Sequence, residues 1–214
     1  MAKPREGVFR ADAGTVDEEG FIAPSVGLVE HALHFTCAPD VLAKTRQILD
    51  ADRLELPGAV VVWDETIGRR RGSKAVPGSW WATSGSVTMS LVFGRAAVEA
   101  LDDPLAAVGE AVVAAIGSFA PSAPVTCRDG EIWLDNKQLG RISHEPYYAV
   151  DIFVVRVNAN TDFSKAPRPV QESSSRLADY VDVASLPLGT AKTLPNALSI
   201  AIMSEVPARI AAAA

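Results

Sequence analysis

The stretch Gly58-Ala59-Val60-Val61-Val62-Trp63-Asp64-Glu65-Thr66-Ile67-Gly68-Arg69-Arg70-Arg71-Gly72 changes character halfway along. Its first half, Ala59 to Trp63, is a short β-branched run bounded by Pro57-Gly58. It is too continuously apolar for a half-exposed strand and predicts a strand in the interior of a sheet, ending at Asp64. The second half sets four cations, Arg69, Arg70, Arg71 and Lys74, within the seven residues from Gly68 to Lys74. Glycine lets backbone N–H groups approach a ligand closely, and arginine offers bidentate contacts to phosphate or carboxylate, so the segment reads as a local anion site. A solvated basic loop, or a nonspecific nucleic-acid patch, stays open as the bland reading of these residues alone. The glycine spacing fits neither a P-loop nor a dinucleotide fingerprint.

Working outward, Ala38 to Leu49 has helical spacing, with Pro39 suited to the first turn. Beyond the basic segment, Pro77 and the adjacent Trp80 and Trp81 continue a polar loop, and Ser86 to Phe93 resumes period-two alternation, predicting a strand. The Ala-rich run Leu105 to Ile116, with Pro104 before it and Gly117 after it, predicts a buried helix. Pro121 and Pro124 form a rigid crossing. Glu131 to Leu134, the turn-forming Asp135-Asn136, and Lys137 to Ile142 predict a β-hairpin, and Tyr148 to Asn158 a further long strand. Gln171 to Ala214 is most simply two helices, the second around Asn196 to Ser204. Strands alternating with helices and several hairpins predict an α+β (mixed α/β) domain on a mixed sheet. The expected organisation is an irregular arm over 1–25, one domain over 26–206 and a short tail over 207–214.

Composition narrows the class of function. The chain has 214 residues, 48% of them hydrophobic and 21% charged, the balance of an ordinary globular domain. With 20 Lys plus Arg against 26 Asp plus Glu, the net charge of -6 disfavours generic attraction to nucleic acid or anionic membrane. No run approaches ~18 uninterrupted apolar residues, so no membrane span is expected. Two cysteines, Cys37 and Cys127, are too few for a disulfide-stapled secreted scaffold, and no signal-peptide pattern opens the chain, so the expected location is the cytoplasm.

With its neighbours, the basic segment becomes more specific. Gly58 to Gly72, then Trp81, Ser84-Gly85 and Val87-Thr88-Met89-Ser90-Leu91, resembles the catalytic domain of biotin protein ligases and the related lipoate ligases. In that family a strand leads into an Arg-Gly-rich loop, a Trp, a small-residue turn and a strand ending in Ser-Leu. A second block, Glu131 to Glu145, is similar to the family hairpin that follows a Lys-Trp-Pro-Asn-Asp segment and ends in a Lys-Leu-Ala-Gly-Ile pattern. A third, Val155-Arg156-Val157-Asn158-Ala159-Asn160, is similar to the strand closing in Gly-Ile-Asn. The resemblance spans Phe35 to Ser204 and implies a mixed, largely antiparallel sheet flanked by helices.

The resemblance also implies a two-step activity. Biotin, or a related acid such as lipoate or octanoate, reacts with ATP and Mg2+ to give an acyl-adenylate, and the acyl group passes to a lysine of a biotinyl or lipoyl carrier domain. It places Gly68, Arg69, Arg70, Arg71 and Gly72 over the adenylate phosphate and acyl carboxyl, with Arg70 catalytic and Trp81 near the adenine. Lys137 supplies the positive charge for the adenylation transition state. Glu65, Gly85 and Asn158 complete the ligand-binding set, Asn158 at the metal and phosphate region, and Phe35-Thr36-Cys37 stands for the family's Ser-Thr-Asn motif, with Thr36 at the biotin end. Only residues 1–34 precede the match, so the reading expects no DNA-binding domain in this chain. Family members often pair through their sheets, and nothing in the sequence decides whether this chain forms a homodimer.

The departures from the pattern are chemical. The family loop reads Gly-Arg-Gly-Arg-Arg-Gly-Arg; here the middle glycine is absent and Ser73 replaces a late arginine. Cys127-Arg128-Asp129-Gly130-Glu131 replaces the Lys-Trp-Pro-Asn-Asp segment, and alignment on Leu139 puts Gln138 at the family's lysine, one residue from Lys137. Neighbouring strand residues face opposite ways, so Lys137 takes that role only through a register slip or a bulge, with Arg128 an alternative cation. Arg156 stands where the family keeps glycine. These changes also fit a catalytically silent, ligase-fold binding module.

Other constellations have simpler readings. His31, His34 and Cys37 have a spacing zinc accepts, but Leu33 and Phe35 point to a strand and an ordinary structural role. Cys127 beside Arg128 reads as a buried, inert thiol in preference to an activated one. A Ser-His-Asp hydrolase built on His144 lacks a Gly-x-Ser-x-Gly elbow.

Overall fold

The computed structural model describes residues 28–65, 85–164, 166, 168–182, 184, 186 and 189–213. Seven strands, β1 (Ala32–Phe35), β2 (Gly58–Val62), β3 (Val87–Gly94), β4 (Val125–Arg128), β5 (Glu131–Leu134), β6 (Lys137–Tyr147) and β7 (Val150–Val157), form one sheet in the order β1-β2-β3-β7-β6-β5-β4. Only β1 and β2 run parallel; every other neighbouring pair is antiparallel. The expected mixed, largely antiparallel sheet flanked by helices is what the chain adopts. As expected from its unbroken apolar run, β2 is buried on both faces inside the sheet.

Helices α1 (Val41–Asp50), α2 (Arg95–Val98), α3 (Pro104–Gly117), α4 (Arg168–Ser173) and α5 (Leu194–Ala213) complete the fold. Period-two alternation sends β3 and β7 side chains into two cores. Val87, Met89, Leu91, Phe93, Phe153, Val155 and Val157 join α3 and α5 in the larger core. Val60, Val62, Val92, Ile152 and Val154 meet Val41 and Ile48 of α1 in the smaller one. Each fully buried Leu or Phe adds roughly 1.5–3 kcal/mol relative to exposure.

Some boundaries differ from the sequence reading. Helix α1 starts at Val41, leaving Pro39 outside, because Asp40 takes an extended conformation (φ -154°, ψ 132°) and its carboxylate accepts the Ala43 N–H at 2.9 Å. By contrast α3 starts with Pro104 in its first turn, as its sequence predicts, and the structure adds an Asp103 cap whose carboxylate accepts the Ala106 N–H at 2.9 Å. Strand β7 begins at Val150, since Tyr148 adopts φ 49° in the turn from β6. Asp135 and Asn136 both take positive φ between β5 and β6, the tight hairpin their side chains favour. Strand β4 and the single turn of α2 carry too few residues to show a period. At the C-terminal end, α5 is much longer than the expected helix around Asn196 to Ser204, and α4 is a short preceding turn. No helix among the described residues is long and apolar enough to cross a membrane.

Candidate functional site

Glu65 follows β2 and Gly85 precedes β3, at the two ends of residues 66–84. Glu65 is 1% exposed, bridges Ala38 backbone to backbone, and is tied by both carboxylate oxygens. Oε1 accepts the Val41 N–H at 2.9 Å and Arg156 Nη2 at 2.8 Å, while Oε2 accepts Arg156 Nε at 2.9 Å. Val41 N–H is a donor that a helix start leaves without an intrahelical partner, and a carboxylate there also meets the positive end of the helix dipole. The fork of Arg156 matches the carboxylate in a bidentate pair. Asp40 Oδ2 stands 3.8 Å from Arg156 Nη2, so two carboxylates and one guanidinium gather at the head of α1.

Gly85 returns the chain with φ 98°, a left-handed conformation open to glycine. A Cβ there would lie 2.3 Å from the Asn160 carbonyl oxygen, so nothing larger fits. The Gly85 carbonyl accepts Asn160 N–H at 2.7 Å, and the hydroxyls of Ser86 and Thr161 are bonded at 2.8 Å. Asn158 is buried beside them: its N–H donates to the Leu139 carbonyl at 2.8 Å, its carbonyl accepts Leu177 N–H at 2.8 Å, and its Oδ1 accepts the Thr161 hydroxyl at 3.3 Å. Glu65, Gly85 and Asn158 thus lie at one end of the sheet, linked through β7 and the residues after it.

Register defines the face beneath α1. Thr88 of β3 opposes Arg156, which opposes Arg141 of β6. The next row runs Val60, Ser90, Val154, Ser143. Thr88 and Ser90 are buried, and Ser90 Oγ has no hydrogen-bond partner among the described residues.

The hairpin decides which side chain near position 137 reaches that face. Leu134 pairs with Lys137 and Trp133 with Gln138, but Ile132 pairs with Gly140, so Leu139 is an extra residue in β6. This bulge reverses the alternation. Gln138 therefore shares the face of Arg141 and Arg156, and Lys137 shares that of Leu134 at an exposed position. Gly140 permits the arrangement, because a Cβ there would stand 2.4 Å from the Arg156 carbonyl oxygen. Arg128 is exposed on the edge strand β4, and Thr36 is exposed just past β1. Gly68, Arg69, Arg70, Arg71, Gly72 and Trp81 lie outside the described residues.

Sequence reasoning passed over Asp40 and Ser90 and treated Arg156 only as a bulky departure. Ser90 had a signal in the alternation Ser86-Val87-Thr88-Met89-Ser90, whose odd members are apolar and even members polar. The histidines of the other constellations have protein partners. His31 Nδ1 meets Glu55 at 2.7 Å, and His34 stacks on Trp63, its pKa lowered by burial. Among the described residues no group of three or more His, Cys, Asp or Glu is placed to hold a metal. His144 Nε2 lies 2.7 Å from Asp151 Oδ1, with its ring stacked on Phe153. Burial raises the Cys127 thiol pKa, the behaviour of an inert cysteine.

By sequence, the chain matches no family model and no curated protein. By structure it is similar to biotin protein ligases. The Aquifex aeolicus enzyme, solved in complex with biotin and ATP, aligns at a TM-score of 0.64 and 12% identity over 85% of this chain and 71% of that one. The Leishmania major enzyme in complex with biotin aligns at 0.61 and 17% identity over 82% and 72%. A biotin protein ligase-like protein of unknown function from a Silicibacter species aligns at 0.56 and 12% identity over 85% and 70%. The chain has the biotin protein ligase fold, as the motifs implied. Identities this low show the fold alone.

Proposed function

We propose that the chain is an acyl ligase of the biotin protein ligase type. It activates biotin, or a related acid such as lipoate or octanoate, with MgATP to an acyl-adenylate and transfers the acyl group to a lysine of a carrier domain. The observation that carries this reading is the ligase fold joined to the arginine and glycine segment between Glu65 and Gly85, where the family has its Arg-Gly-rich loop. In the first step the acid's carboxylate attacks the α-phosphate and pyrophosphate leaves; in the second the carrier amine takes the acyl group and AMP leaves. Arg69, Arg70 and Arg71 hold the phosphate and carboxyl oxygens, where fixed cations act most strongly on charge developing in the transition state. Gly68 and Gly72 let the backbone approach, Trp81 faces the adenine, and Thr36, Gly85 and Asn158 complete the set. Lys137, turned to the opposite face by the bulge, drops out of it, and Glu65, buried against Arg156 and the Val41 N–H, acts only by holding Arg156.

The test is pyrophosphate release with each acid in turn. Arg70→Ala is expected to lower the rate at least about a hundredfold. An unchanged rate would remove the segment from the chemistry.

The second reading, a ligase-fold binding module without turnover, draws on the bulge at Leu139, which brings Gln138 and not Lys137 to the face of Arg156. It predicts that nucleotide or acid binds and no pyrophosphate appears.

A further inference from the structure

Arg156 stands where the family pattern has the glycine of Gly-Ile-Asn. Alignment on Leu139 puts a second pattern glycine, that of Lys-Leu-Ala-Gly-Ile, at Arg141. The register sets these two positions directly opposite one another on the face beneath α1. Two glycines in one row leave bare backbone that a flat ligand can approach closely. Two arginines cover that surface.

The two arginines differ in how firmly they do so. Arg141 is exposed and makes no ion pair among the described residues, so its side chain can turn into solvent. Arg156 is only 16% exposed, and from β7 its guanidinium crosses β3 to reach Glu65 past the end of β2. The Glu65 side chain is wholly out of solvent and is itself fixed by the Val41 N–H at 2.9 Å. A ligand that displaced Arg156 would leave this carboxylate buried without its counter-charge, which is strongly unfavourable. Arg156 therefore acts as a wall and not as a flexible surface side chain. It stands one row from Ser90 and two residues from Asn158, at the end of the sheet where the arginine and glycine segment is attached.

We propose that Arg156, locked onto Glu65, sets the acid specificity of this chain: it closes the face beneath α1 to the fused ring of biotin and leaves the site to a slimmer acid with an unbranched acyl chain. This inference rests on the acyl-ligase reading above.

The full chain, with ATP present, is titrated calorimetrically with biotin and with octanoate. Octanoate is expected to bind at least about tenfold more tightly. Biotin binding as tightly as octanoate, or more so, overturns the proposal. The double variant Arg156→Gly with Glu65→Gln removes the wall and the buried charge together, and it is expected to gain at least about tenfold in biotin affinity. A double variant with an intact melting transition and no such gain also overturns the proposal; if it does not fold, the order of the two acids on the wild-type chain decides. Pyrophosphate release is scored separately. Acids that bind in the expected order without pyrophosphate release support the wall and overturn the ligase reading. A wild type that binds neither acid, while the double variant takes up biotin, overturns the proposal, because the wall then closes the site to both acids. No binding of either acid to either folded protein overturns both.

Discussion

The two faces of β3 are built from one alternating sequence and serve different ends. Val87, Met89, Leu91 and Phe93 enter a largely apolar core closed by α3 and α5, at whose edge Asp151, opposite Phe93, is bonded to His144. On the other face Val92 meets the apolar residues under α1, but Ser90 and Thr88 follow, and the row ends on the Glu65–Arg156 pair. The first face is organised chiefly by close packing, with one hydrogen-bonded pair, His144 and Asp151, at its edge. The second passes within three rows from hydrophobic burial to a buried ion pair, and its geometry is set by hydrogen bonds and charge. Buried polar groups specify positions more sharply than methyl groups do, because each must find its partner.

The comparison breaks first on Phe153, wholly buried between Phe93 and His144. Phe153→Ala is expected to lower unfolding free energy by about 3–5 kcal/mol in urea titration. A loss below about 1 kcal/mol would mean the larger core is loosely packed. On the polar face, Arg156→Ala leaves Glu65 buried and unpaired, and about 3 kcal/mol of stability should disappear. Replacing Arg156 and Glu65 together by leucine should restore most of it, because the stranded charge then goes too. If the double replacement were no more stable than Arg156→Ala, charge would not be what organises this face.

Smaller effects sharpen the contrast. Ser90→Ala removes a buried hydroxyl that has no partner among the described residues, so stability should stay level or rise by up to about 1 kcal/mol. A clear loss in the same urea titration would show that the hydroxyl is hydrogen-bonded in solution. His34 supplies the weakest effect. Burial lowers its pKa below the ordinary 6.5, so above that pH it is neutral both folded and unfolded and adds no pH dependence. As pH falls through 6.5, the unfolded chain takes up a proton that the folded chain resists, and stability drops. Melting temperatures at about pH 7.5 and about pH 5.5 should therefore differ more for the wild type than for His34→Phe, which keeps a ring against Trp63. Equal differences would show that His34 is solvated at the end of β1.

Much of the fold was legible because its signals are local. The apolar run of β2, the alternation of β3, Pro104 in the first turn of α3, and the Asp135-Asn136 turn each lie within a few residues and appear as read. Boundaries moved where a side chain chose between two local roles, as when Asp40 capped α1 and displaced Pro39 from the helix. The candidate site was only partly legible. Glu65, Gly85 and Asn158 were reached through the resemblance, and the structure brings these three together. What Glu65 is bonded to was not in the sequence, since its partner Arg156 lies 91 residues further on.

By itself, the sequence determined the interior strand β2, the alternation of β3, the Pro104 start of α3, the hairpin of β5 and β6 and the presence of a cationic segment in an acidic protein, because periodicity, turn residues and composition act over short distances. Tertiary structure alone decided that β7 would lie between β3 and β6, that Arg141 and Arg156 would share a row, and that one extra residue at Leu139 would turn Gln138 and not Lys137 toward them. Those outcomes depend on register, and register is fixed by which strands meet and where a bulge falls, neither of which any single stretch of residues encodes.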